Sequence, residues 1–300
     1  MARRDEGRER DAAPEQVASM EVVSKGQLRC YLNWLALDGL PTPDTGWMKA
    51  IQGAGYDGIQ WIEPLVRGLV NEACAHGLGI CGSGRVNHPS DAYRLAMEAQ
   101  EAGLECLTLH VGWGLEDDDE GARLIEAILD ASARYAVPLY VETHRATLFQ
   151  DIWRTVQFID RFPQLKFNGD FSHWYTGLEM VYGGFENKLA YIQPVIERVH
   201  FIHGRIGNPG CMQVDIGDLE NASKLPFVAH FRTLWTRVFD TFLRRSLPGE
   251  SICFTPELLA PEIYYAREFG GREESDRWQQ SLVLMQIARD CFCEAQAGLA

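Results

Sequence analysis

Four side chains that can bind a metal ion or move a proton stand near the ends of short apolar runs. They are Glu142, Asp170, His203 and Glu257, within the segments VETHR, NGDFSHW, FIHGR and FTPEL. Burying three carboxylates close together would cost several kcal/mol each without a counter-charge. A divalent cation supplies that charge, and three carboxylates with one imidazole suit Mn²⁺, Mg²⁺ or Co²⁺ better than a thiolate-type zinc site.

The elements that must position these residues follow a regular order. Apolar runs rich in β-branched residues alternate with longer segments of helical spacing, and glycines and prolines separate the units. The predicted strands are Leu28–Trp34, Asp57–Glu63, Leu78–Cys81, Cys106–Val111, Pro138–Thr143, Leu165–Phe171, Arg198–Arg205 and Ser251–Glu257. The predicted helices include Asp91–Ala102 and Asp119–Tyr135, with Thr147–Phe162 and Phe227–Arg244 as the clearest, and a final helix over about Glu273–Ala295 would close the ring.

A strand followed by a helix, repeated eight times, predicts a single-domain (β/α)8 TIM barrel of the α/β class. The doubly wound alternative is disfavoured because no GxGxxG motif follows the first predicted strand. In such barrels the chemistry lies at the C-terminal ends of the strands. The four candidate ligands end predicted strands five to eight, so we expect them to converge at one mouth. Capping or ion-pairing explains any one of them alone, but not all four at matching ends.

The order of these residues resembles the xylose-isomerase-like TIM barrel superfamily of sugar phosphate isomerases and epimerases. Its members carry a Glu on strand five, an Asp on strand six with a His three residues later, a His on strand seven and a Glu on strand eight. Glu142, Asp170 with His173, His203 and Glu257 match this pattern. The resemblance implies one divalent metal ion on Glu142, Asp170, His203 and Glu257, with Mn²⁺ expected and Mg²⁺, Co²⁺ or Fe²⁺ as alternatives.

The same resemblance implies that Glu142 and Glu257 also act as the acid/base pair, and that His173 and Arg205 contact substrate oxygens. A metal that binds a carbonyl and its neighbouring hydroxyl acidifies the C–H between them. Two carboxylates on opposite faces can then remove and return a proton through an enediolate-type intermediate. We therefore expect a metal-dependent isomerase or epimerase of a sugar-like or polyhydroxylated carbonyl compound, in carbohydrate metabolism. Loss of a β-hydroxyl from the same intermediate would instead make the protein a lyase or dehydratase.

Further candidates for substrate contact surround the predicted mouth. His110 lies near the end of the fourth predicted strand, and Trp34, Trp61, Trp113 and Trp174 lie at or just after strand ends. Four tryptophans around the rim would favour an apolar or ring-stacking face of the substrate. The strand-seven segment HGRIGNPG departs from the short basic-acidic segment common in sugar epimerases, and its arginine is suited to hold an anionic group.

The net charge, the lengths of the apolar runs and the first residues of the chain limit which other classes of protein this could be. The 300 residues carry a formal charge of −14, which argues against nucleic-acid binding and against a nuclease of the endonuclease IV type with its basic groove. No apolar run approaches the roughly 20 residues that a membrane helix needs. The charged start predicts a disordered tail over residues 1–26, followed by the catalytic barrel over 27–300.

Eight cysteines form no CxxC pair and follow no secretory signal, so they are predicted to be reduced core thiols of a cytoplasmic protein. The expected partner is a small-molecule substrate, and the sequence is compatible with a monomer or a homo-oligomer. A binding barrel without catalysis remains an alternative, although the intact pair Glu142 and Glu257 argues against it.

Overall fold

Eight parallel strands form a closed barrel in the computed structural model, which describes residues 26–62, 64 and 66–299. The barrel strands are β1 Gln27–Asn33, β2 Gly58–Ile62, β3 Gly79–Val86, β4 Leu107–Val111, β5 Leu139–Glu142, β6 Phe167–Asn168, β7 Val199–His203 and β8 Ser251–Thr255. Each strand pairs in parallel with the next, and β8 closes the ring on β1. The predicted single-domain TIM barrel is confirmed.

Helices follow the strands and cover the outside of the barrel. They are α1 Trp47–Gly53, α2 Arg67–Ala75, α3 Pro89–Ala102, α4 Asp118–Tyr135, α5 Ile152–Arg161, α6 Phe171–Gly177, α7 Phe185–Tyr191, α8 Gln193–Ile196, α9 Leu219–Ala222, α10 Pro226–Arg245 and α11 Arg277–Ala297. The acidic segment 117–120 forms the N-terminus of α4. Its first residue, Asp117, is the N-cap, because its side chain accepts hydrogen bonds from the backbone N–H groups of Asp119 and Glu120. A short hairpin of β9 Glu268–Phe269 and β10 Arg272–Glu273 precedes α11.

The barrel interior is divided into a polar and an apolar layer. The upper layer, towards the C-terminal strand ends, contains the buried polar residues Asn33, Gln60, Thr108, Glu142, Asn168, His203 and Thr255. The layer below it, which we call the lower layer, consists of Tyr31, Cys81, Cys106, Tyr140, Phe201 and Cys253. The candidate ligands therefore stand on a scaffold of hydrogen-bonding side chains rather than directly on apolar packing.

The predicted sixth strand extends beyond the observed strand at both ends. Leu165–Phe171 was expected to be extended, but β6 contains only Phe167–Asn168. Asp170 ends the extended segment because its side chain accepts a hydrogen bond from the backbone N–H of Ser172 and caps α6. The other predicted strands overlap the observed ones, and β3 extends five residues further than Leu78–Cys81 towards the mouth.

The predicted disordered tail falls almost entirely outside the described residues, which begin at residue 26, so its disorder stays a prediction. Gly26, the last residue assigned to that tail, is buried against the end of α10. A Cβ atom at this position would lie 2.7 Å from atoms of Phe242 and Ser246. Within the described part of the chain, no helix is long and apolar enough to span a membrane.

Candidate metal centre and active site

The four predicted metal ligands lie together at the C-terminal mouth of the barrel. One ligand atom from each of Glu142, Asp170, His203 and Glu257 lies within 4.8 Å of the others, and all four residues are at most 6% exposed. Metal–ligand bonds of about 2.2 Å would place adjacent ligand atoms about 3.1 Å apart and opposite ones about 4.4 Å apart. The cluster thus has the size that one cation requires, with only small inward shifts of the side chains.

A chain of hydrogen bonds determines which nitrogen of His203 faces this cluster. The backbone N–H of Leu35 donates to Asn33 Oδ1 at 3.0 Å, which turns Asn33 Nδ2 towards Gln60 Oε1 at 3.2 Å. The same Gln60 oxygen lies 3.0 Å from His203 Nε2. Since an amide oxygen can only accept, Nε2 of His203 carries the hydrogen. When the imidazole is neutral, it therefore presents the lone pair of Nδ1 to the mouth.

That lone pair faces two carboxylates. His203 Nδ1 lies 3.3 Å from Glu142 Oε2 and 3.4 Å from Glu257 Oε1, and it makes no hydrogen bond with any described residue. A lone pair opposed by two anions is repulsive unless a proton or a metal ion lies between them. Burial lowers the pKa of His203, but the charges of Glu257 and Glu142 outweigh burial and raise it to about 9. A positive charge at Nδ1 is thus favoured, which is a proton in the metal-free protein and would be a metal ion in its place when one is bound.

Glu142 is oriented by neighbours on both of its oxygens. The backbone N–H of His203 donates to Asn168 Oδ1 at 3.0 Å, so Asn168 Nδ2 donates to Glu142 Oε2, also at 3.0 Å. The other oxygen lies 3.3 Å from His110 Nε2. Burial raises the pKa of Glu142, but His203 and His110 outweigh burial and lower it well below its usual value. Glu142 is therefore a fixed, ionised carboxylate.

Arg205 is the buried counter-charge of two other ligands. Its guanidinium contacts Asp170 through Nη2, and its Nη1 lies 3.1 Å from Glu257 Oε2. Its Nε donates to Ser172 Oγ at 3.0 Å, and the side chain is fully buried. Three carboxylates against one guanidinium leave two formal negative charges, which a divalent cation would balance. The structure thus places Arg205 among the ligands, which it positions, and its expected contact with substrate oxygens stays a prediction.

Two further residues, His144 and Tyr265, lie at the mouth, although the sequence analysis did not single them out. The ring of His144 lies between those of His110 and His173, with centroid distances of 4.2 and 3.7 Å. Tyr265 covers this stack, with its hydroxyl 3.4 Å from His144 Nε2 and its ring 4.7 Å from the Arg205 guanidinium. The alternation that placed Glu142 also indicates His144, two residues later, whereas Tyr265 comes from a loop without any such signal.

Two of the four predicted rim tryptophans, Trp61 and Trp174, pack away from the mouth. Gln60 points into the barrel, so Trp61 faces outwards and borders a small cavity against α3. Trp34 packs on Trp61 at a centroid distance of 5.7 Å. Trp174 is fully buried, and its indole N–H donates to the carbonyl oxygen of Phe149 at 3.0 Å. Packing explains these positions of Trp61 and Trp174, whereas Trp34 is half-buried and its expected contact with a substrate stays a prediction.

Trp113 is the tryptophan that reaches the mouth. It is 56% exposed, and the guanidinium of Arg85 stacks on its ring at 3.9 Å. Arg85 Nη2 lies 3.1 Å from His110 Nδ1, and His110 contacts Glu142. A continuous row of side chains therefore runs from the buried carboxylate to the solvent. With His110 27% exposed, this row marks the side from which a substrate could approach.

Comparisons with solved structures agree with this architecture. The chain is similar to an L-ribulose 3-epimerase, with a TM-score of 0.58 and 10% identity over 91% of this chain and 97% of that one. It is also similar to a xylose isomerase-like TIM barrel protein from Mycobacterium smegmatis in complex with magnesium, with a TM-score of 0.55 and 13% identity over 88% and 97%. A xylose isomerase domain protein from Planctomyces limnophilus gives 0.55 and 13% over 90% and 98%.

At such low identities, the TM-scores and the coverage show a shared fold and no more. The chain has the fold of the xylose-isomerase-like TIM barrels, as its sequence predicted. No protein-family model matches the chain, and the comparison with curated proteins found no match.

Proposed function

We propose that the protein is a divalent-metal-dependent isomerase or epimerase of a sugar-like or polyhydroxylated carbonyl compound. The observation that carries this proposal is the lone pair of His203 Nδ1, held between the carboxylates of Glu142 and Glu257 at 3.3 and 3.4 Å. A cation placed there would have a carboxylate on each side, so a substrate bound to this cation would meet two carboxylates that can exchange protons with it. The proposal agrees with the activity named for one protein of the same fold, the L-ribulose 3-epimerase.

Glu142, Asp170, His203 and Glu257 would hold the ion. Mn²⁺ is the expected metal because three carboxylates and one imidazole form a predominantly oxygen donor set, which Mg²⁺, Co²⁺ and Fe²⁺ can share. A bound divalent ion would polarise a substrate carbonyl and so acidify the neighbouring C–H.

Glu142 and Glu257 would take a proton from this carbon and return one to it or to its neighbour. They reach the centre from different elements, Glu142 from the end of β5 and Glu257 from the loop after β8. Asn168 and His110 hold the first carboxylate in place, whereas Arg205 holds the second. Because both glutamates are almost completely buried, competing water would be scarce beside the reacting carbon.

The substrate itself would lie against the wall of His110, His144, His173, Tyr265 and Trp113. Imidazole and phenol groups donate and accept hydrogen bonds, which suits a compound with several hydroxyl groups. The exposed Trp113 ring offers an apolar face at the rim.

The test is proton exchange with solvent. Metal-free protein would be supplied with Mn²⁺ in deuterated water and incubated with a panel of aldoses and ketoses, free and phosphorylated, while NMR monitors the carbon next to the carbonyl. We expect Mn²⁺-dependent deuterium incorporation that Glu257→Gln slows about 10²-fold and that the exposed control Glu262→Gln leaves intact. Formation of an unsaturated product with loss of water would identify a lyase, and Mn²⁺-independent exchange would refute the proposed role of the metal.

A further inference from the structure

Three cysteines meet inside the closed, N-terminal half of the barrel. Cys81 lies on β3, Cys106 directly precedes β4, and Cys253 lies on β8. Their sulfur atoms lie within 4.8 Å of one another, with 3.4 Å between Cys106 Sγ and Cys81 Sγ. All three are free thiols and between 0 and 7% exposed. The cluster belongs to the lower layer and is separate from the four ligands at the mouth.

The spacing of the sulfur atoms suits a metal ion. A metal–sulfur bond of about 2.3 Å places the sulfurs of a three-coordinate site about 4.0 Å apart, and those of a tetrahedral site about 3.8 Å apart. The closest pair of sulfurs lies 3.4 Å apart and all three lie within 4.8 Å of one another, so shifts of about 1 Å or less would bring them to either geometry. Three strands of the barrel supply the ligands, so the closed sheet itself holds the sulfurs in place.

An ion pair lies at the bottom of the barrel, below the cluster. Arg29 and Glu105 form an ion pair there, with side chains 30% and 33% exposed, and the hydroxyl of Tyr31 donates to Glu105. Gly79 leaves room for this pair, because a Cβ atom on it would collide with the Glu105 carboxylate. Arg29 neutralises the Glu105 carboxylate, so this pair adds no net charge at the barrel bottom, and the thiols are the metal-binding groups of the lower layer.

We propose that Cys81, Cys106 and Cys253 form a second metal site, which binds one thiophilic d10 cation of the Zn²⁺ or Cu⁺ type. Binding would displace the thiol protons to solvent and would tie β3, β4 and β8 together at the bottom of the barrel. Thiolates select soft ions and carboxylates select hard ones, so the two sites would take different metals. The sequence contains no CxxC pair that would indicate this site, because its ligands come from strands that are distant in sequence.

The test uses Cd²⁺ as the probe on the full-length, reduced and metal-free protein. An excess of Mg²⁺ is present to compete at the carboxylate mouth. We expect one equivalent of Cd²⁺ to bind with an ultraviolet thiolate-to-metal charge-transfer band. Cys253→Ser should weaken this binding at least about 10-fold, the scale for a lost interaction at a metal site. Cys74→Ser is the matched control, since Cys74 is an exposed thiol, and it should bind Cd²⁺ like the unchanged protein.

Folding and coordination are checked independently of the variants. Near-ultraviolet circular dichroism without metal establishes that Cys253→Ser and the second variant Cys253→Ala are folded. X-ray absorption at the cadmium edge of the unchanged protein should show a first shell dominated by sulfur, and this result stands even if both variants fail to fold. An oxygen and nitrogen shell, a band that survives in folded Cys253 variants, or a Cys81–Cys106 disulfide under reducing conditions would overturn the proposal.

Discussion

Replacing Gln60 tests the metal centre at the mouth without knowledge of the substrate. The Gln60 side-chain oxygen accepts from Asn33 Nδ2 and from His203 Nε2, and its nitrogen donates to Thr108 Oγ1 at 3.0 Å. Gln60→Leu removes the acceptor that keeps the hydrogen of His203 on Nε2. The hydrogen can then reside on Nδ1, where it would compete with a metal ion for the position between the two carboxylates.

The expected magnitude follows from these contacts. Loss of an outer partner of a metal-binding histidine weakens metal binding about 10- to 100-fold, or about 1.4 to 2.7 kcal/mol. The fully buried N–H groups of His203 and Asn33 also lose a partner, which lowers the free energy of unfolding by about 1 to 3 kcal/mol. Gln60→Glu retains the acceptor, so it should bind Mn²⁺ as tightly as the unchanged protein or more tightly.

The assay is calorimetric titration of metal-free protein with Mn²⁺, together with urea unfolding of each variant. Thr108→Val is the matched control, because it removes the other hydrogen bond of Gln60 and leaves the contact with His203. It should destabilise the protein with little change in Mn²⁺ affinity. Equal Mn²⁺ affinity in Gln60→Leu and Thr108→Val would refute the argument that this amide chain prepares Nδ1 for a cation.

Three further predictions concern other residues of the chain. Glu257→Gln should lower turnover by about 10²-fold, as for a lost general acid or base, and excess Mn²⁺ should not restore it. In Asp170→Asn, by contrast, excess Mn²⁺ should restore much of the activity. Arg205→Met leaves two buried carboxylates without their counter-charge, so we expect a loss of about 3 kcal/mol in the unfolding free energy of the metal-free protein, measured in urea and partly recovered on addition of Mn²⁺. Deletion of residues 1–25 should change neither the melting temperature nor Mn²⁺ affinity.

For each of these three predictions, one experimental outcome would contradict the reasoning. Rescue of Glu257→Gln by Mn²⁺ as complete as that of Asp170→Asn would make Glu257 a ligand without a role in proton transfer. Unchanged stability of Arg205→Met would mean that water or rearrangement neutralises the carboxylates at the mouth. A lower melting temperature after the deletion would show that the start of the chain packs on the barrel.

The ligand-bearing strands could be predicted because their signals are local. Each of Glu142, His203 and Glu257 follows a short apolar run, and in a parallel barrel the ends of all such runs meet at one mouth. Asp170 was placed correctly at this mouth although the predicted strand around it was wrong, because both a strand end and a helix N-cap lie there. Topology alone thus brings these residues together.

The orientation of side chains could not be predicted in the same way. Arg205 follows the alternation of β7 into the mouth, and packing there encloses it among the ligands, which the alternation alone does not indicate. Trp61 and Trp174 lie near strand ends as expected, yet their rings fill the helix layer. Whether a side chain beyond the last strand residue faces the pocket or the core depends on which neighbours leave space for it, and those neighbours come from other elements.

The sequence by itself determined the barrel, the order of its strands and the identity of the residues at their ends, because apolar periodicity and turn residues act over short distances along the chain. Only the tertiary structure decided which nitrogen of His203 faces Glu142 and Glu257, through an amide that lies 143 positions away in the chain. The thiol cluster likewise appears only when β3, β4 and β8 are brought together. Hydrogen bonds and charge pairs of this kind depend on ångström distances between distant segments, and no pattern along the chain encodes those distances.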